Sequence, residues 1–318
     1  MSRFVPIVNV DNIRHLYGSH VALDGISFEV PAGECFGLLG PNGSGKSTLF
    51  KILTTLLPPS SGSAFVAGHN VVTQRSDVRS RIGVVFQSPS LDIHLTVREN
   101  LVHGGRLYGL SSEDLRRRVS AVTQALNIDD RANALVKTLS GGLKRRVELA
   151  KCMLHEPALL ILDEPCNGLD PVARVEFWQY LTRYGNRGVT LLLTTHDMDE
   201  ADQCDRLALF DRGKLVALGM PDELKQRVSA DCITIVADDA ALVAGELEAN
   251  FKMTVRVIDG VIRAESREAA TIMPQLFARF GSRIRSITLS KPTLGDVFMH
   301  ETGHRFANHA DKNVEEQR

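Results

Sequence analysis

The sequence predicts an α/β fold in which a mostly parallel β-sheet forms the core, followed by a small α+β domain. Four apolar runs that alternate with helical patterns support the first part, and they span residues 34–39, 81–86, 158–162 and 189–195. Runs this apolar are typical of strands buried on both faces of a parallel sheet. The small α+β domain is predicted from a change in the sequence pattern near residues 222–231. Segments with glycine-containing motifs stop there, and short alternating strands and amphipathic helices follow.

The predicted first domain covers residues 1–221 and includes a helical insertion at about residues 90–155. Within the insertion, Ser111 stands ahead of Asp114 and Leu115, which is typical of a helix start. We also expect an antiparallel β subdomain in this domain.

The predicted second domain covers residues 222–303 and is a small accessory α+β unit. Its expected strands lie at 232–236, 254–258, 261–264 and 283–289, and its expected helices at 240–249 and 268–280. Residues 304–318 mix both signs of charge with few apolar groups, so we expect a disordered tail there.

The composition excludes several classes of protein. A chain of 318 residues that is 43% hydrophobic and 24% charged can build a large core, which excludes disorder over most of its length. Its net charge of -1 provides no overall field that attracts nucleic acid or anionic lipid. The longest apolar runs are far shorter than the roughly 20 residues of a membrane-spanning helix. The first residues lack the apolar stretch of a secretory signal, so we expect a cytoplasmic protein.

A glycine-rich loop between a predicted strand and a predicted helix fits the pattern G-x-x-x-x-G-K-[ST], which is typical of a P-loop NTPase core. The loop and the first helical residues are Gly40, Pro41, Asn42, Gly43, Ser44, Gly45, Lys46, Ser47 and Thr48. Glycines let backbone N–H groups curl around an anion, and the helix N-terminus adds the positive end of its dipole. We therefore expect an ATP site in which Lys46 reaches the β- and γ-phosphates and the Ser47 hydroxyl binds Mg²⁺.

Polar residues follow two of the apolar runs. Asp163 and Glu164 end one run, and ligands gather at the carboxyl ends of strands in open α/β sheets. Asp163 is predicted to hold Mg²⁺, and Glu164 to orient or deprotonate the attacking water. His196 follows the next run at the same edge, where its imidazole can donate to the γ-phosphate or to the water. Glu164 and His196 are therefore the predicted catalytic residues of an ATPase.

The segment before the strand that ends in Asp163 and Glu164 carries a motif that points to one protein family. It reads Leu139-Ser140-Gly141-Gly142-Leu143, and with the motifs above it resembles the ATP-binding subunit of an ABC transporter over about residues 7–220. The resemblance implies that Ser140, Gly141 and Gly142 face the nucleotide of a partner subunit. Two ATP molecules would then be sandwiched in a head-to-tail homodimer. Leu143 stands where the family usually has Gln, and the effect of this departure stays open.

The resemblance also assigns roles to three residues outside these motifs. Tyr17 matches the aromatic residue that stacks on adenine. Gln87 matches the glutamine that touches Mg²⁺ and links the nucleotide site to the membrane partner. Asp170 matches the residue that reaches across the dimer.

The C-terminal part narrows the subtype. Residues 291–298, followed by Thr302-Gly303, resemble the ending of ATPases in the daunorubicin-resistance group, which work with small export permeases. The resemblance implies an ABC-2-type exporter, with a separate integral membrane permease as partner. The ATPase would be a peripheral protein on the cytoplasmic face of the cell (inner) membrane, and the cargo would be chosen by the permease.

An alternative class is a soluble ABC-type ATPase that acts on DNA or ribosomes without a membrane partner. The compact insertion argues against chromosome-type relatives, which carry long coiled coils, and the single cassette argues against translation-type relatives. The basic clusters at residues 116–118 and 144–146 are balanced by nearby acids, so no nucleic-acid partner is expected. Residues 300–304 fit H-E-x-x-H, but Gly303 disfavours the helix that such a zinc site needs.

Overall fold

The computed structural model describes residues 5–228, 231–251, 253–258, 260–266, 269–304 and 306. The chain divides into two compact units, one ending at Leu218 and the other beginning at Gly219. In the described ranges, no helix is both long and apolar enough to cross a membrane. The predicted fold class is confirmed, because a mostly parallel sheet and antiparallel sheets are both present.

The strands of the first unit are β1 (Val8–Tyr17), β2 (His20–Val30), β3 (Cys35–Leu39), β4 (Ser61–Val66), β5 (His69–Asn70), β6 (Ile82–Val85), β7 (Leu159–Asp163), β8 (Thr190–Thr195), β9 (Arg206–Asp211) and β10 (Lys214–Gly219). Its helices are α1 (Lys46–Leu53), α2 (Arg75–Arg81), α3 (Val97–Leu107), α4 (Ser112–Ala125), α5 (Gly141–Met153), α6 (Pro171–Gly185) and α7 (Met198–Ala201).

The core of this unit is a six-stranded sheet in the order β10-β9-β3-β8-β7-β6. Strand β3 pairs in parallel with β8 and β9, and β7 pairs in parallel with β6 and β8. The four predicted apolar runs form β3, β6, β7 and β8. Every residue of β7 and β8 is buried, which explains the apolar runs at residues 159–162 and 191–193. The threonines of β8 are buried as well.

An antiparallel sheet in the order β2-β1-β4-β5 shares its core with the parallel sheet. Leu49 and Phe50 of α1 lie in the same buried cluster as Val10 of β1 and Ile161 of β7. Full burial of each such side chain stabilises the fold by about 1.5–3 kcal/mol. Helix α1 and the loop that precedes it are therefore anchored to both sheets.

The predicted helical insertion contains α3, α4 and α5, between β6 and β7. Each helix begins at a hydroxyl N-cap, which satisfies a backbone N–H that has no partner within the helix. Thr96 caps α3 in a capping box with Glu99, Ser111 caps α4, and Ser140 caps α5.

The second unit contains α8 (Pro221–Arg227), β11 (Asp231–Ala237), α9 (Ala240–Phe251), β12 (Thr254–Ile258), β13 (Val261–Ser266), α10 (Ala269–Phe280), β14 (Ile284–Ser290) and α11 (Leu294–Thr302). Its antiparallel sheet has the order β12-β13-β11-β14. Ile233 and Ile235 of β11 share a buried cluster with Leu247 of α9 and Phe280 of α10. The order of strands and helices is the one expected for residues 232–289.

Helix α11 ends where glycine permits a left-handed turn, because Gly303 has a φ of 78°. His300 therefore lies in the helix and His304 beyond its end, so the two are not on one helical face. Of the tail expected at residues 304–318, His304 and Phe306 are described and pack against Phe298, with ring centroids 5.4 and 4.9 Å away. The rest of the predicted tail lies outside the described residues.

Candidate active site

The carboxyl ends of three neighbouring strands bring the predicted site residues together. In the parallel register, Leu39 of β3 pairs with Thr195 of β8, and Asp163 of β7 pairs with Thr194. The glycine-rich loop leaves β3 at this edge, and Glu164 and His196 directly follow β7 and β8. The edge is where ligands bind in open α/β sheets.

Glycine is required at both ends of the loop. A Cβ at Gly40 would lie 2.4 Å from the Phe210 carbonyl oxygen, and one at Gly45 would lie 2.6 Å from that of Ala22. Gly45 also has a φ of 106°, which side-chain-bearing residues rarely adopt. Only glycine therefore lets the loop pack against these two carbonyl groups and turn into α1 at Lys46.

Lys46 is almost completely buried beneath the loop. Its Nζ donates to the carbonyl oxygens of Gly40 at 2.6 Å and Pro41 at 3.0 Å. Burial lowers the pKa of Lys46 to about 8, although the nearby carboxylates of Glu164 and Asp163 oppose this shift. A phosphate bound in the loop would supply a stronger, charged acceptor for the same ammonium group.

The loop lines a cavity of about 190 Å³ at this edge. Its walls include Tyr17, His20, Ala22, Asn42, Gly43, Gly45, Lys46, Ser47, Thr48 and Glu164. Tyr17 is 46% exposed, and its ring forms a T-shaped contact with His15. The structure thus unites the predicted adenine contact with the phosphate loop.

Asp163 is held by a threonine that sequence reasoning missed. Thr194 Oγ1 donates to Asp163 Oδ1 at 2.5 Å and accepts from the backbone N–H of Glu164 at 3.0 Å. Burial raises the pKa of Asp163, while the Thr194 hydrogen bond opposes the shift. Thr194 stands directly before Thr195 and His196 at the end of a strand, and this position could have indicated from the sequence that it belongs to the site.

Glu164 is the centre of the polar cluster, and its backbone has a φ of 44°, which is uncommon for a residue other than glycine. Its Oε2 accepts from the side-chain amides of Gln87 and Asn167, both at 3.0 Å. Its Oε1 lies 3.1 Å from His196 Nδ1. The imidazole holds the pKa of Glu164 below its usual range, and the carboxylate raises the pKa of His196. Asn167, three residues after Glu164, is a second member that sequence reasoning missed.

The remaining predicted residues lie elsewhere on the first unit. Among the described residues, those that line the 190 Å³ cavity do not include Ser140, Gly141, Gly142 or Asp170. Ser140 and Asp170 are exposed and act as N-caps of α5 and α6, accepting from Leu143 N at 3.3 Å and Ala173 N at 2.9 Å. Gly142 lies against Ala173, so the two helix starts adjoin.

These features together place the protein in the class of P-loop nucleotide hydrolases. The sequence profile described as "ABC transporter" matches residues 23–167. The chain is 39% identical over 303 residues to the Nod factor export ATP-binding protein I of Burkholderia orbicola (strain AU 1054), covering 94% of this chain and 98% of that protein. It is 37% identical over 303 residues to the daunorubicin resistance ATP-binding protein DrrA3 of Streptomyces coeruleorubidus, with coverage of 93% and 96%.

Solved structures agree with these sequence matches. cbiO1 from Clostridium perfringens, part of the ABC transporter complex cbiONQ, aligns with a TM-score of 0.65 and 29% identity over 78% of this chain and 96% of that one. The ATP-binding cassette MJ0796, a dimer in a post-hydrolysis state bound to ADP and Pi, aligns with a TM-score of 0.61 and 26% identity over 67% and 98%.

The chain therefore belongs to the ABC transporter family, and it is an ATP-binding subunit that hydrolyses ATP for transport. The predicted family and activity are confirmed. The transporter relatives favour this function over that of a soluble ATPase acting on DNA or ribosomes.

Proposed function

We propose that this chain powers an exporter of the ABC-2 type from the cytoplasmic face of the cell membrane, with a separate integral membrane permease as the pore. Two of its relatives are named for Nod factor export and daunorubicin resistance, which supports export. In this proposal, residues 1–221 are the ATPase domain and residues 222–303 an accessory domain.

The observation that carries the proposal is the arrangement around Glu164. Three groups from separate segments, those of Gln87, Asn167 and His196, surround one ionised carboxylate at the mouth of the phosphate loop. Such a carboxylate is held in place to accept a proton from water, as hydrolysis of the γ-phosphate requires. His196 supplies an imidazole N–H donor beside it, which stabilises negative charge on the transferred group.

The remaining roles follow from position. The loop from Gly40 to Ser44 cradles the phosphates, Lys46 neutralises the β- and γ-phosphates, and Tyr17 stacks on adenine. The oxygen-bearing side chains at this edge fit Mg²⁺, which prefers one or two carboxylates together with phosphate oxygens. Asp163, Ser47 and Gln87 would hold the ion, and the ion would neutralise charge that develops on the phosphates.

A head-to-tail dimer of two copies completes each site. Ser140 and Asp170 are exposed on their own subunit and begin adjoining helices, as residues that serve a neighbouring subunit should be. The N-terminus of α5, with two glycines, offers backbone N–H groups and a positive dipole end to the partner's γ-phosphate.

The permease is proposed to dock beside the loop that carries Gln87. A groove of about 320 Å³ lies there, with Leu56, Phe86, Leu107, Tyr108 and Lys151 among its walls. Leu107 is 87% exposed, and a partner helix with an apolar face would cover it. Tyr108 is held by stacking on His155 at 3.7 Å.

The decisive experiment is Glu164→Gln. We expect this variant to bind ATP, to hydrolyse it at least about a hundredfold more slowly because the proton acceptor is lost, and to accumulate an ATP-bound dimer. Turnover measures hydrolysis, and size-exclusion chromatography with and without ATP measures the dimer. Glu113→Gln, a matched change on the surface of α4, should behave as the parent. Hydrolysis at the parental rate by Glu164→Gln would show that another group accepts the proton.

A further inference from the structure

An arginine on the helix that begins at Ser140 binds the backbone of the catalytic loops. Arg145 of α5 is 5% exposed. Its guanidinium donates to the carbonyl oxygens of Phe86 at 2.6 Å, Pro165 at 2.6 Å, Glu164 at 3.1 Å and Asp163 at 3.4 Å. Phe86 directly precedes Gln87, whose side chain donates to the Glu164 carboxylate. The Arg145 side chain therefore holds the backbone next to Gln87 and the backbone of Glu164 at the same time.

Glu148, on the same helix, completes this contact. Its Oε2 accepts from Arg145 Nη1 at 2.9 Å, and its Oε1 accepts from the backbone N–H of Ser90 at 2.7 Å. The loop carrying Gln87 is therefore attached to α5 on both sides, at Phe86 and at Ser90. Glu148 is 1% exposed, so water cannot replace these bonds without local rearrangement.

The chemistry of this contact favours a mechanical role. A buried ion pair often stabilises a fold no better than well-packed apolar side chains would, so burial alone does not account for its presence here. A planar guanidinium with five N–H donors can bond several fixed acceptors at once, whereas a lysine ammonium cannot match that geometry. The loop with Gln87, the segment with Glu164 and helix α5 thus share one rigid connector.

We propose that Arg145 is a positioning residue that couples the subunit's own nucleotide site to the helix whose start meets the partner's nucleotide. Displacement of Gln87 or Glu164 by bound ATP is passed through the guanidinium to α5 and hence to Ser140. This inference rests on the proposed head-to-tail dimer, because only there does the start of α5 meet a nucleotide.

The test uses ATP-dependent dimerisation of Glu164→Gln, which separates assembly from hydrolysis. The concentration of ATP that gives half of the dimer is measured with and without Arg145→Lys. We expect Arg145→Lys to raise that concentration about tenfold, the effect of losing one charge-assisted hydrogen bond from the coupled state. The affinity of the isolated subunit for ADP should change less than about twofold, because Arg145 does not line the nucleotide cavity.

Two further variants keep the test decisive. Arg118→Lys is the matched control, since Arg118 also binds a carbonyl oxygen, that of Leu154, and a carboxylate, that of Glu156, away from the catalytic loops. It should leave the ATP requirement for dimerisation unchanged. Glu148→Gln retains shape but loses the charge, so it should shift the requirement in the same direction as Arg145→Lys, and it decides the question if Arg145→Lys does not fold.

The outcomes separate this inference from the proposed function. If Glu164→Gln alone forms no dimer with ATP, the proposed dimer mechanism fails. If it dimerises at the same ATP concentration with and without Arg145→Lys, or if ADP affinity falls as much as dimerisation does, Arg145 has only a structural role and the inference is overturned.

Discussion

His196 Nδ1 lies 3.1 Å from Glu164 Oε1, and each residue shifts the titration of the other. The carboxylate raises the pKa of His196 from its ordinary 6.5, and the imidazole lowers that of Glu164 from 4.5. The folded subunit therefore brings these two side chains together at the edge of the sheet, where they form an ion pair when His196 is protonated.

This pair predicts a pH-dependent contribution to stability. The His196 part is fully present below its ordinary pKa of 6.5 and is lost as pH rises through the raised value. The Glu164 part is present above 4.5 and is lost as pH falls through the lowered value. In metal-free buffer, His196→Ala should therefore lower the melting temperature more at about pH 5.5 than at about pH 8.5. His94→Ala, at an exposed position, is the control, and an equal loss at both pH values would contradict the prediction.

Lys46 predicts how nucleotide affinity depends on pH. Its pKa is lowered to about 8 by burial, and an anionic phosphate binds the protonated form more tightly. As pH rises above about 8, binding must first restore the proton, so the affinity for ADP should fall by up to about tenfold per pH unit. Calorimetry in metal-free buffer measures this slope. Lys46→Ala should bind more weakly but without the slope, and a flat parental profile would exclude this role of Lys46.

Thr194→Val should separate a catalytic effect from a structural one. The change removes the hydroxyl that donates to Asp163 Oδ1 and accepts from the Glu164 N–H, and loss of a hydrogen bond to a charged group costs about 1.5–3 kcal/mol. The Glu164 N–H keeps a second acceptor, the Thr194 carbonyl oxygen at 3.1 Å. Thr190→Val is the matched control, since Thr190 is equally buried on β8 but accepts from Gly33 N instead. Both variants should melt at lower temperature. Only Thr194→Val should lose ATPase activity, by about tenfold or more, and equal activities would show that Thr194 does not support the site.

Leu107→Asp tests the proposed permease groove. A charge at this exposed apolar position would have to be desolvated when a partner helix covers it, which opposes docking. Recovery of the ATPase with washed membranes that contain the permease should fall several-fold. Leu242→Asp, a matched change at an exposed position of α9, should be recovered as the parent is. Equal recovery of both variants would show that the permease does not dock at the groove that contains Leu107.

The parts that could be predicted from sequence are those in which neighbouring residues act together. Gly40 to Ser47 form a loop because the glycines, the helix start and the lysine are consecutive, so their geometry is local. The strands β7 and β8 were recognisable because residues 159–162 and 191–193 form apolar runs, as burial on both faces of a sheet favours. The roles of Thr194 and Arg145 were not recognisable, because each depends on partners from other elements, and neither residue type indicates such partners by itself.

The sequence by itself therefore determined the phosphate loop, the four strands β3, β6, β7 and β8 and the family, since these depend on local patterns and conformational preferences. Only the tertiary structure decided that Gln87, Asn167 and His196 surround Glu164, and that Arg145 joins their loops to the helix beginning at Ser140. The physical reason is that hydrogen bonds between distant segments depend on strand register and helix packing to within fractions of an ångström. Periodicity and spacing along one chain do not specify distances at that scale.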